Sequence, residues 1–597
     1  MHRFRDLRNS RQLAADNSEP PDPSRRLVVM LGGALAAAGV LGWRLFDWHV
    51  EQSAELSARG ASALLARSEI NPRRGSIFDR DDDVLAISRG AVRVVADPFS
   101  IHETSDPFEV ADRLSGLLDL DSAGVAERLG DPNLRYSEIA RGLTGDLARS
   151  VEAAIQNGQL PGVRLDPDRV RVYPNQELAA HVLGFVGEGT ARPGEVVGQA
   201  GVEAWYNDVL GGQSGLVSSD IDRLGRRIPI GRYALQPPRH GAHVTLSIDR
   251  TIQHIAEQEL ESAIEQFGAT AGTILITNPR TGEVLGLANR PTYDPGRVHS
   301  YREFGPEFAN RACSLIYEPG STFKLVTMAA GLDVGAVRPE TTHNLPGTEN
   351  YFGQEFKNWD ERTYPKQTMV SVLQNSSNTG TIFVADTIGA DSFYEYIERF
   401  GFGTRTGVDM AGEVPGIVRR RGDQGWFLPD LASNSFGQGI SVTPVQLATA
   451  IGAIANDGVM MRPHVARAVT QADGRQATIE SQPIRRVVSR ETAQTLIRMM
   501  EAAESGVLNN LARIPGYRTA GKTGTSEIAS SGRFLEDTSI ASYVGFGPLE
   551  LPRVLTLVVI ERPQAAFFGA YVASPTFARV MSRVFAHLRV PPRTGQT

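Results

Sequence analysis

The chain has 597 residues, a formal charge of −7, and a composition that is 41% hydrophobic and 22% charged. These ordinary values exclude wholesale disorder, predict two or more folded domains and give no general reason to expect nucleic-acid binding. The single cysteine, Cys313, excludes a disulfide framework and a cysteine-based zinc site, and we interpret it as a small buried residue.

The first apolar segment, residues 27–43, is a 17-residue run without charge that Leu45 and Phe46 can extend. The arginines that precede it are Arg3, Arg5, Arg8, Arg11, Arg25 and Arg26. By the positive-inside rule they place the N-terminus in the cytoplasm and the rest of the chain outside the plasma membrane. We therefore predict a cytoplasmic tail at 1–26 and a single transmembrane anchor at 27–48.

A cleaved signal peptide is the alternative, because residues 36–38 fit an Ala-x-Ala cleavage site. We favour the uncleaved anchor, since the apolar run continues past that site. It also ends at Trp43 and Trp48, which is typical of the aromatic belt at a membrane interface.

The first exterior domain is predicted at 49–240 and mixes extended with helical stretches. Residues 92–98 and 181–187 have the composition of strands, whereas 138–156 has helical spacing. The polar stretch 235–243, with its proline pair and glycine, indicates the boundary to the next domain.

A larger α/β domain is predicted at 241–590, followed by a short tail at 591–597. Strands near both of its ends, with long helical stretches between them, predict an antiparallel sheet completed by both termini. This prediction rests on a helix at 250–267, hairpin strands at 272–278 and 283–289, hairpin strands at 541–548 and 553–561, and a helix at 574–588.

A serine and a lysine stand one helical turn apart in YEPGSTFKL, residues 317–325. Pro319-Gly320 breaks the preceding structure, and the apolar spacing that follows predicts a helix from Ser321 to Gly335. Ser321 then lies in the first turn, where unpaired N–H groups favour an alkoxide or oxyanion, and Lys324 shares its face. A serine needs such a neighbouring base to become a nucleophile.

Lysine is rare in this chain, because the 61 basic residues include only Lys324, Lys357, Lys366 and Lys522. Arginine stays protonated, whereas lysine loses its proton where its site is built for that. An unperturbed lysine is neutral only about once in two thousand at pH 7, so burial or a second cation must lower its pKa. Taken alone, the Ser-x-x-Lys pattern is also compatible with a capping serine and a solvated lysine.

The second rare lysine lies in GYRTAGKTGTSE, residues 516–527, which fits two different motifs. Gly516-x-x-x-x-Gly521-Lys522-Thr523 matches a nucleotide-binding P-loop, whereas Lys522-Thr523-Gly524 accompanies Ser-x-x-Lys in penicillin-recognising enzymes. Glycines and serines at 524–532 disfavour the helix that a P-loop requires, and ATP is scarce outside the membrane. We therefore favour the second motif.

Between the two lysine motifs, Ser376-x-Asn378 lies at the junction of two predicted helices. Taken alone, it would be interpreted as a helix-capping loop.

In their order and rough spacing, Ser321-x-x-Lys324, Ser376-x-Asn378 and Lys522-Thr523-Gly524-Thr525 resemble the motifs of the penicillin-binding protein transpeptidases. The first exterior domain resembles class B members of that family, so the resemblance covers about residues 70–585. It rests on Arg74-Gly75-x-Ile77-x-Asp79-Arg80 with Leu85-Ala86, on Arg171-x-Tyr173-Pro174 with His181, Gly184 and Gly187, and on Gly198, Gly201, Glu203, Leu210 and Gly215. Asp81-Asp82-Asp83 departs from the usual Asn-Gly turn; we interpret it as a loop change, with a calcium site as the alternative.

The resemblance implies a serine acyltransferase that crosslinks peptidoglycan without a metal or other cofactor. Ser321 would attack the penultimate D-alanine carbonyl of a stem peptide, release D-alanine and pass the acyl group to an amine of a neighbouring stem. Lys324 would be the base for Ser321, and Lys522 would keep it neutral by charge repulsion. Ser376 would shuttle a proton to the leaving amine, and Asn378 would orient Lys324 and the substrate amide.

The same resemblance implies how substrate is held. Thr523, Gly524 and Thr525 would bind it, with the two threonine hydroxyls on its terminal carboxylate. Backbone N–H groups of Ser321 and Thr525 would form the oxyanion hole. Beta-lactams would acylate Ser321 as substrate mimics.

The implied fold is an α/β transpeptidase domain, with an antiparallel five-stranded sheet flanked by helices as in beta-lactamases. It would stand on an elongated α+β pedestal of the penicillin-binding protein dimerisation type, behind one transmembrane helix. The pedestal would dock a polytopic glycan polymerase of the FtsW/RodA type and other division proteins. YEPGSTFK, SFGQGISVTPVQLA and SYVGFGP resemble division-type members more than elongation-type ones, which stay the alternative.

Two other functions are alternatives to the transpeptidase. A beta-lactamase needs a deacylating base, and Glu413 follows Asn378 by 35 residues, but the expected asparagine four residues later is Ile417. A non-catalytic division scaffold would need only the pedestal, yet a decayed site would have no reason to keep two of four lysines.

Overall fold

A computed structural model describes residues 23–53, 65–189, 195–220, 233–298, 305–504, 510–530 and 533–593. The chain divides into two compact units, Met1–Ile70 with Ser214–Pro237 and Asn71–Gln213 with Pro238–Thr597.

The α-helices of the described residues are α1 (Pro23–Phe46), α2 (Pro98–Thr104), α3 (Pro107–Leu118), α4 (Ser122–Leu129), α5 (Gly145–Gln156), α6 (Ala180–Leu183), α7 (Gly201–Trp205), α8 (Asn207–Gly211), α9 (Arg250–Phe267), α10 (Arg311–Ser314), α11 (Lys324–Asp333), α12 (Met369–Gln374), α13 (Asn378–Ile388), α14 (Ala390–Arg399), α15 (Pro429–Ser435), α16 (Pro444–Ala455), α17 (Arg490–Ala503) and α18 (Gly569–His587).

The β-strands are β1 (Leu65–Ile70), β2 (Ile77–Phe78), β3 (Val84–Ala96), β4 (Ser137–Leu143), β5 (Val163–Val172), β6 (Val186–Glu188), β7 (Val196–Gly198), β8 (Gly215–Asp220), β9 (Tyr233–Gln236), β10 (His243–Leu246), β11 (Ala271–Thr277), β12 (Val284–Arg290), β13 (Thr342–Leu345), β14 (Thr348–Tyr351), β15 (Gln354–Lys357), β16 (Tyr364–Thr368), β17 (Val459–Met461), β18 (Ala466–Thr470), β19 (Gln476–Thr478), β20 (Pro483–Arg486), β21 (Ala520–Ser530), β22 (Arg533–Gly547) and β23 (Val554–Glu561).

The first unit contains the membrane-spanning candidate. Residues Leu27–Glu51 are the one helical stretch of the described chain that is long and apolar enough to cross a bilayer. The anchor predicted at 27–48 lies within this candidate span, and its bounds stay a prediction. The same unit holds a three-stranded sheet in the order β1-β8-β9.

In the second unit, a mixed sheet joins residues from both sides of the predicted boundary at 240. Strand β10 pairs in parallel with β2 and antiparallel with β18. Along the path β19-β18-β10-β2-β3-β4, strands near residue 80 and residue 470 therefore share one sheet. The boundary itself stays a prediction.

A buried ion cluster connects the three segments that resemble class B members. Glu203 is fully buried, and its two carboxylate oxygens each lie 2.7 Å from an Nε atom, one of Arg74 and one of Arg171. Tyr173 donates a further hydrogen bond of 3.3 Å to Glu203. Burial alone would raise the pKa of Glu203, but Arg171 and Arg74 outweigh it and hold that pKa below its ordinary value.

Two secondary-structure predictions in this region are wrong in part. Residues 138–156 are not one helix, because strand β4 occupies Ser137–Leu143 before α5 begins. Gly142 and Gly145 have φ of 68° and 59°, which interrupts any helix there. The predicted strand at 181–187 begins as helix α6 and becomes extended only at β6.

The Asp81-Asp82-Asp83 segment forms a tight turn that is held by backbone hydrogen bonds to the Asp79 side chain. The Asp79 carboxylate accepts the N–H groups of Asp81 and Asp83 at 2.9 and 2.8 Å. Asp82 takes the left-handed conformation, with φ of 65°, that glycine would otherwise supply. Because no group of three His, Cys, Asp or Glu side chains in the described residues could hold a metal ion, the calcium alternative has no support.

The predicted antiparallel sheet is present, with five strands in the order β12-β11-β23-β22-β21. Alternate residues of β11 point to opposite faces, so that Ile274 and Ile276 belong to the hydrophobic cluster that includes α9 and α18, while Leu275 belongs to the cluster that includes α11 and α16. Asp249 caps the N-terminus of α9, and Gly268 ends that helix in the left-handed conformation. The implied fold is confirmed, and it leaves β21 as an edge strand.

Candidate active site

Ser321 lies in a 3-10 helical turn, Gly320–Thr322, directly before α11. The helix therefore begins one turn later than the sequence predicts. The turn rests against β21, because a Cβ atom on Gly320 would lie 2.6 Å from the Thr525 carbonyl oxygen. Gly320 also has φ of 54°, so only glycine fits here. This close approach places the backbone of Ser321 beside the strand that carries the second lysine motif.

Lys324, at the start of α11, is fully buried. Its Nζ donates to the Ser376 carbonyl oxygen at 2.5 Å and to Asn378 Oδ1 at 2.6 Å, and lies 3.3 Å from Ser376 Oγ. Within the described chain, the hydrogen bonds of Lys324 go to these two residues and none goes to Ser321. The structure therefore joins the first and second motifs through their lysine and their polar loop.

Ser376 lies between α12 and α13 with φ of 51°, a left-handed conformation that is rare for serine. Strain of this kind concentrates at functional sites. The loop is held by Asn358, whose Oδ1 accepts from Ser377 Oγ at 3.1 Å and from the Asn378 N–H at 2.8 Å. Asn358 was not predicted from the sequence, because it lies beyond the end of strand β15 and no local pattern connects it to the loop.

Lys522 lies on the edge strand β21, opposite Val544 of β22, and is fully buried. Its Nζ is 3.1 Å from Ser376 Oγ and 3.2 Å from Thr523 Oγ1. The P-loop interpretation is wrong, because Lys522 lies within a strand that continues to Ser530 and no helix follows it.

Burial and charge both act on the two lysines. Burial lowers the pKa of Lys324 well below its ordinary value, and the neighbouring charge of Lys522 lowers it further. Burial lowers the pKa of Lys522 to about 7. Of the two causes that the sequence left open, burial is thus the larger, and the site favours an uncharged Lys324 at neutral pH.

The remaining predicted residues line β21 next to the serine turn. A Cβ atom on Gly524 would lie 2.4 Å from Ser542 Oγ and 2.9 Å from the Pro319 carbonyl oxygen, so glycine is required for the contact. Thr525 Oγ1 accepts the Gly569 N–H at 3.0 Å. Thr523 is nearly fully buried, whereas Thr525 is half-buried.

Glu413 does not support the beta-lactamase alternative. Its Oε1 accepts from the N–H and the hydroxyl of Thr406 at 2.6 and 2.5 Å, and its Oε2 accepts from the Gly407 N–H at 3.0 Å. Both oxygens thus hold a neighbouring loop in place.

Cys313 is fully buried, and burial raises the pKa of its thiol, in agreement with its predicted packing role.

Comparison with known proteins covers nearly the whole chain. The family described as penicillin binding protein transpeptidase domain matches residues 272–582, and the penicillin-binding protein dimerisation domain matches residues 69–246. The chain is 31% identical over 577 residues to the peptidoglycan D,D-transpeptidase FtsI of Escherichia coli, which is 95% of this chain and 93% of that protein. It is 32% identical over 573 residues to the probable peptidoglycan D,D-transpeptidase PbpC of Pseudomonas aeruginosa, covering 95% and 96%.

Among solved structures, the chain is similar to penicillin-binding protein 3 of Mycobacterium tuberculosis complexed with aztreonam, with a TM-score of 0.67 and 25% identity. That match covers 88% of this chain and 98% of the other. Since the transpeptidase family alone spans more than half of the sequence, these matches show that the chain belongs to the class B penicillin-binding proteins, of the cell-division type represented by FtsI.

Proposed function

We propose that this protein is a peptidoglycan D,D-transpeptidase that crosslinks stem peptides through an acyl-enzyme on Ser321. The observation that carries the proposal is the meeting of two fully buried lysines, Lys324 and Lys522, at the hydroxyl of Ser376. Such a pair supplies an uncharged amine three residues from a serine at a helix start, which is what activation of a hydroxyl nucleophile needs.

The hydrogen bonds of Lys324 suit a general base. A neutral amine has two N–H groups and one lone pair. The Ser376 carbonyl oxygen and Asn378 Oδ1 can only accept, so they take both hydrogens. The Asn378 amide group donates to the Lys357 carbonyl oxygen at 2.7 Å, which fixes its orientation. The lone pair of Lys324 is then left for the proton of a hydroxyl.

In the acylation step, Ser321 Oγ gives its proton to Lys324 and bonds to the carbonyl carbon of the penultimate D-alanine. The peptide bond breaks, and the terminal D-alanine nitrogen takes a proton through the Ser376 hydroxyl, which connects the two lysines. In the second step, an amine of a neighbouring stem attacks the ester carbonyl and loses a proton to Lys324. Lys324 returns a proton to Ser321 Oγ, which leaves as a hydroxyl. A new peptide bond to the neighbouring stem thus replaces the bond to the terminal D-alanine.

Substrate binding is assigned to the edge strand β21. Backbone N–H groups of Ser321 and Thr525 form the oxyanion hole, a contribution worth about 3–4 kcal/mol when one donor is lost. Thr523 and Thr525 bind the terminal carboxylate, and Gly524 lets the strand approach the serine turn.

The place of this reaction is septal cell-wall synthesis, an assignment supported by the similarity to FtsI. The apolar helix at Leu27–Glu51 anchors the chain in the plasma membrane, with the N-terminus cytoplasmic and the catalytic domain outside. A polytopic polymerase docks on the dimerisation-type domain. Beta-lactams acylate Ser321, an assignment supported by the similar protein that was solved with aztreonam.

The test is a crosslinking assay with the full chain in detergent, a stem peptide ending in D-alanyl-D-alanine and an amine acceptor. We expect D-alanine release and crosslinked product, both abolished in Ser321→Ala. Ser314→Ala is the matched control, because its hydroxyl makes a local hydrogen bond to the Asn310 carbonyl oxygen. Undiminished activity of Ser321→Ala would refute the assignment.

Depletion of this protein from cells tests its place in cell-wall synthesis. We expect filamentous cells from a division role, whereas rounded cells would indicate an elongation role instead.

A further inference from the structure

A buried carboxylate outside the proposed reaction lies at the C-terminal end of α17. Glu504 is 5% exposed, and its two oxygens accept from Thr519 Oγ1 at 2.9 Å and from the Tyr543 hydroxyl at 3.1 Å. Buried carboxylates are costly unless they are paired, and both of these partners are neutral.

Both partners of Glu504 flank the segment that carries Lys522. Thr519 immediately precedes strand β21, and Tyr543 lies on β22 opposite Thr523. The Tyr543 hydroxyl packs so closely on β21 that a Cβ atom on Gly521 would lie 2.2 Å from it. The Tyr543 ring is fixed in turn by Phe577, with ring centroids 4.6 Å apart. A movement of either partner hydroxyl would therefore be transmitted to the residue next to Lys522.

The last turn of α17 also contacts the segment that leads into the Ser376 loop. Gln374, the last residue of α12, donates to the Ala502 carbonyl oxygen at 3.0 Å. Ser376 follows Gln374 by two residues. The last turn of α17 thus supports both the loop that holds Ser376 and the strand that holds Lys522, whose side chains meet 3.1 Å apart.

We propose that Glu504 is a positioning residue of the transpeptidase reaction, which sets the place of Lys522 through Thr519 and Tyr543. The inference rests on the proposed function. When Glu504 is ionised, both hydroxyls donate to it, as in the structure. When it is protonated, it must donate to one of them, and that hydroxyl turns its own proton elsewhere. The two protonation states therefore hold the strand differently.

The surroundings of Glu504 keep both states accessible. Burial raises the pKa of Glu504 to about 7; the Thr519 and Tyr543 hydrogen bonds and Arg513 lower it, and Glu501 raises it. Burial and Glu504 raise the pKa of Tyr543 well above its ordinary value, so the phenol stays a neutral donor. The carboxyl group is thus the member of this cluster that changes charge near neutral pH.

The test compares the rate constant of acylation by fluorescent penicillin in the full-length wild type and in Glu504→Gln, from pH 5.5 to 8.5. Because glutamine mimics the protonated form, we expect equal rates at low pH and a loss of roughly fivefold in the variant at high pH, with a midpoint near 7. The control is Glu491→Gln, an exposed carboxylate in the first turn of the same helix, which should give a pH-independent ratio.

A ratio for Glu504→Gln that is constant with pH would overturn the proposal, because a merely structural role lowers the rate equally at every pH. Tyr543→Phe provides a second test, and it decides the matter if Glu504→Gln does not fold. This change removes one hydrogen-bond donor to the Glu504 carboxylate, so the pKa of Glu504 rises and the midpoint of the pH–rate profile for acylation should move to higher pH. A midpoint that is unchanged from the wild type would also overturn the proposal. Failure of the wild type to react with penicillin would refute the proposed function instead.

Discussion

Lys324 and Lys522 share one hydrogen-bond partner, the Ser376 hydroxyl, at 3.3 and 3.1 Å from their Nζ atoms. Both side chains are fully buried. Two charges this close in a dry environment repel strongly, so the pair carries less than its full charge at neutral pH. Arginine cannot shed a proton in this way, which accounts for lysine at these two positions of an arginine-rich chain.

Replacing Lys324 by arginine should abolish acylation while the fold survives. A guanidinium stays protonated, so the base is lost, and we expect the rate of penicillin acylation to fall by roughly 10²–10⁴-fold. Lys366→Arg is the matched control, because Lys366 is exposed on β16 and should keep the wild-type rate. An active Lys324→Arg protein would show that Lys324 is not the base.

Removing the charge of Lys522 should shift the pH dependence of acylation. Burial and Lys522 both lower the pKa of Lys324, and in Lys522→Gln only burial remains. The pKa of Lys324 then rises, so the acid limb of the pH–rate profile moves to higher pH, in addition to any overall loss of rate. Lys522→Arg keeps a cation and should keep the wild-type midpoint. Identical midpoints in all three proteins would contradict this account of the lysine pair.

Adding one methyl group at Gly524 should separate the serine turn from β21. The new Cβ atom would lie 2.4 Å from Ser542 Oγ and 2.9 Å from a backbone oxygen, so the turn must move. We expect acylation to fall about tenfold or more in Gly524→Ala, while overpacking that costs about 1–3 kcal/mol lowers the melting temperature by only a few degrees. Gly116→Ala, in α3, has open space around its Cβ position and should keep the wild-type acylation rate without lowering the melting temperature.

Glu203 should stabilise the dimerisation-type domain far more than a surface carboxylate does. Glu203→Gln leaves Arg74 and Arg171 buried beside a neutral group, and we expect a loss of about 3–5 kcal/mol in unfolding free energy. Glu109→Gln breaks an exposed ion pair with Arg113 and should cost less than about 1 kcal/mol.

The pH dependence gives the second part of that test. Because the folded-state pKa of Glu203 is lowered, its contribution is present above the ordinary value near 4.5 and is lost as pH falls below it. Urea unfolding at several pH values should therefore show the two stability curves of wild type and Glu203→Gln converging in acid. Parallel curves would contradict an ionised, paired Glu203.

Much of the transpeptidase domain could be predicted from local patterns. The helix at 250–267 and the strand pairs near the two ends of this domain were predicted correctly, because their apolar spacing and turn residues agree with the observed fold. The helix across 138–156 was predicted wrongly. Gly142 and Gly145 adopt positive φ angles that interrupt a helix, and the spacing of apolar residues carries no information about φ.

The candidate site divides in the same way. Lysine scarcity and motif order pointed to Lys324 and Lys522, but burial as the main cause of the lowered pKa of Lys324 appears only in three dimensions. Asn358 and Glu504 could not be found from the sequence, because their contacts depend on tertiary packing between distant elements. Their roles follow from hydrogen bonds to the loops and strands that carry the motifs.

The central claim, that Ser321 becomes acylated with help from a buried neutral lysine, is tested most directly by mass spectrometry of the full chain after reaction with penicillin. We predict one long-lived penicilloyl adduct, mapped by proteolysis to the peptide containing Ser321 and absent from both Ser321→Ala and Lys324→Arg. An adduct on another residue, an adduct that survives in Lys324→Arg, or rapid hydrolysis of the penicillin would contradict the account.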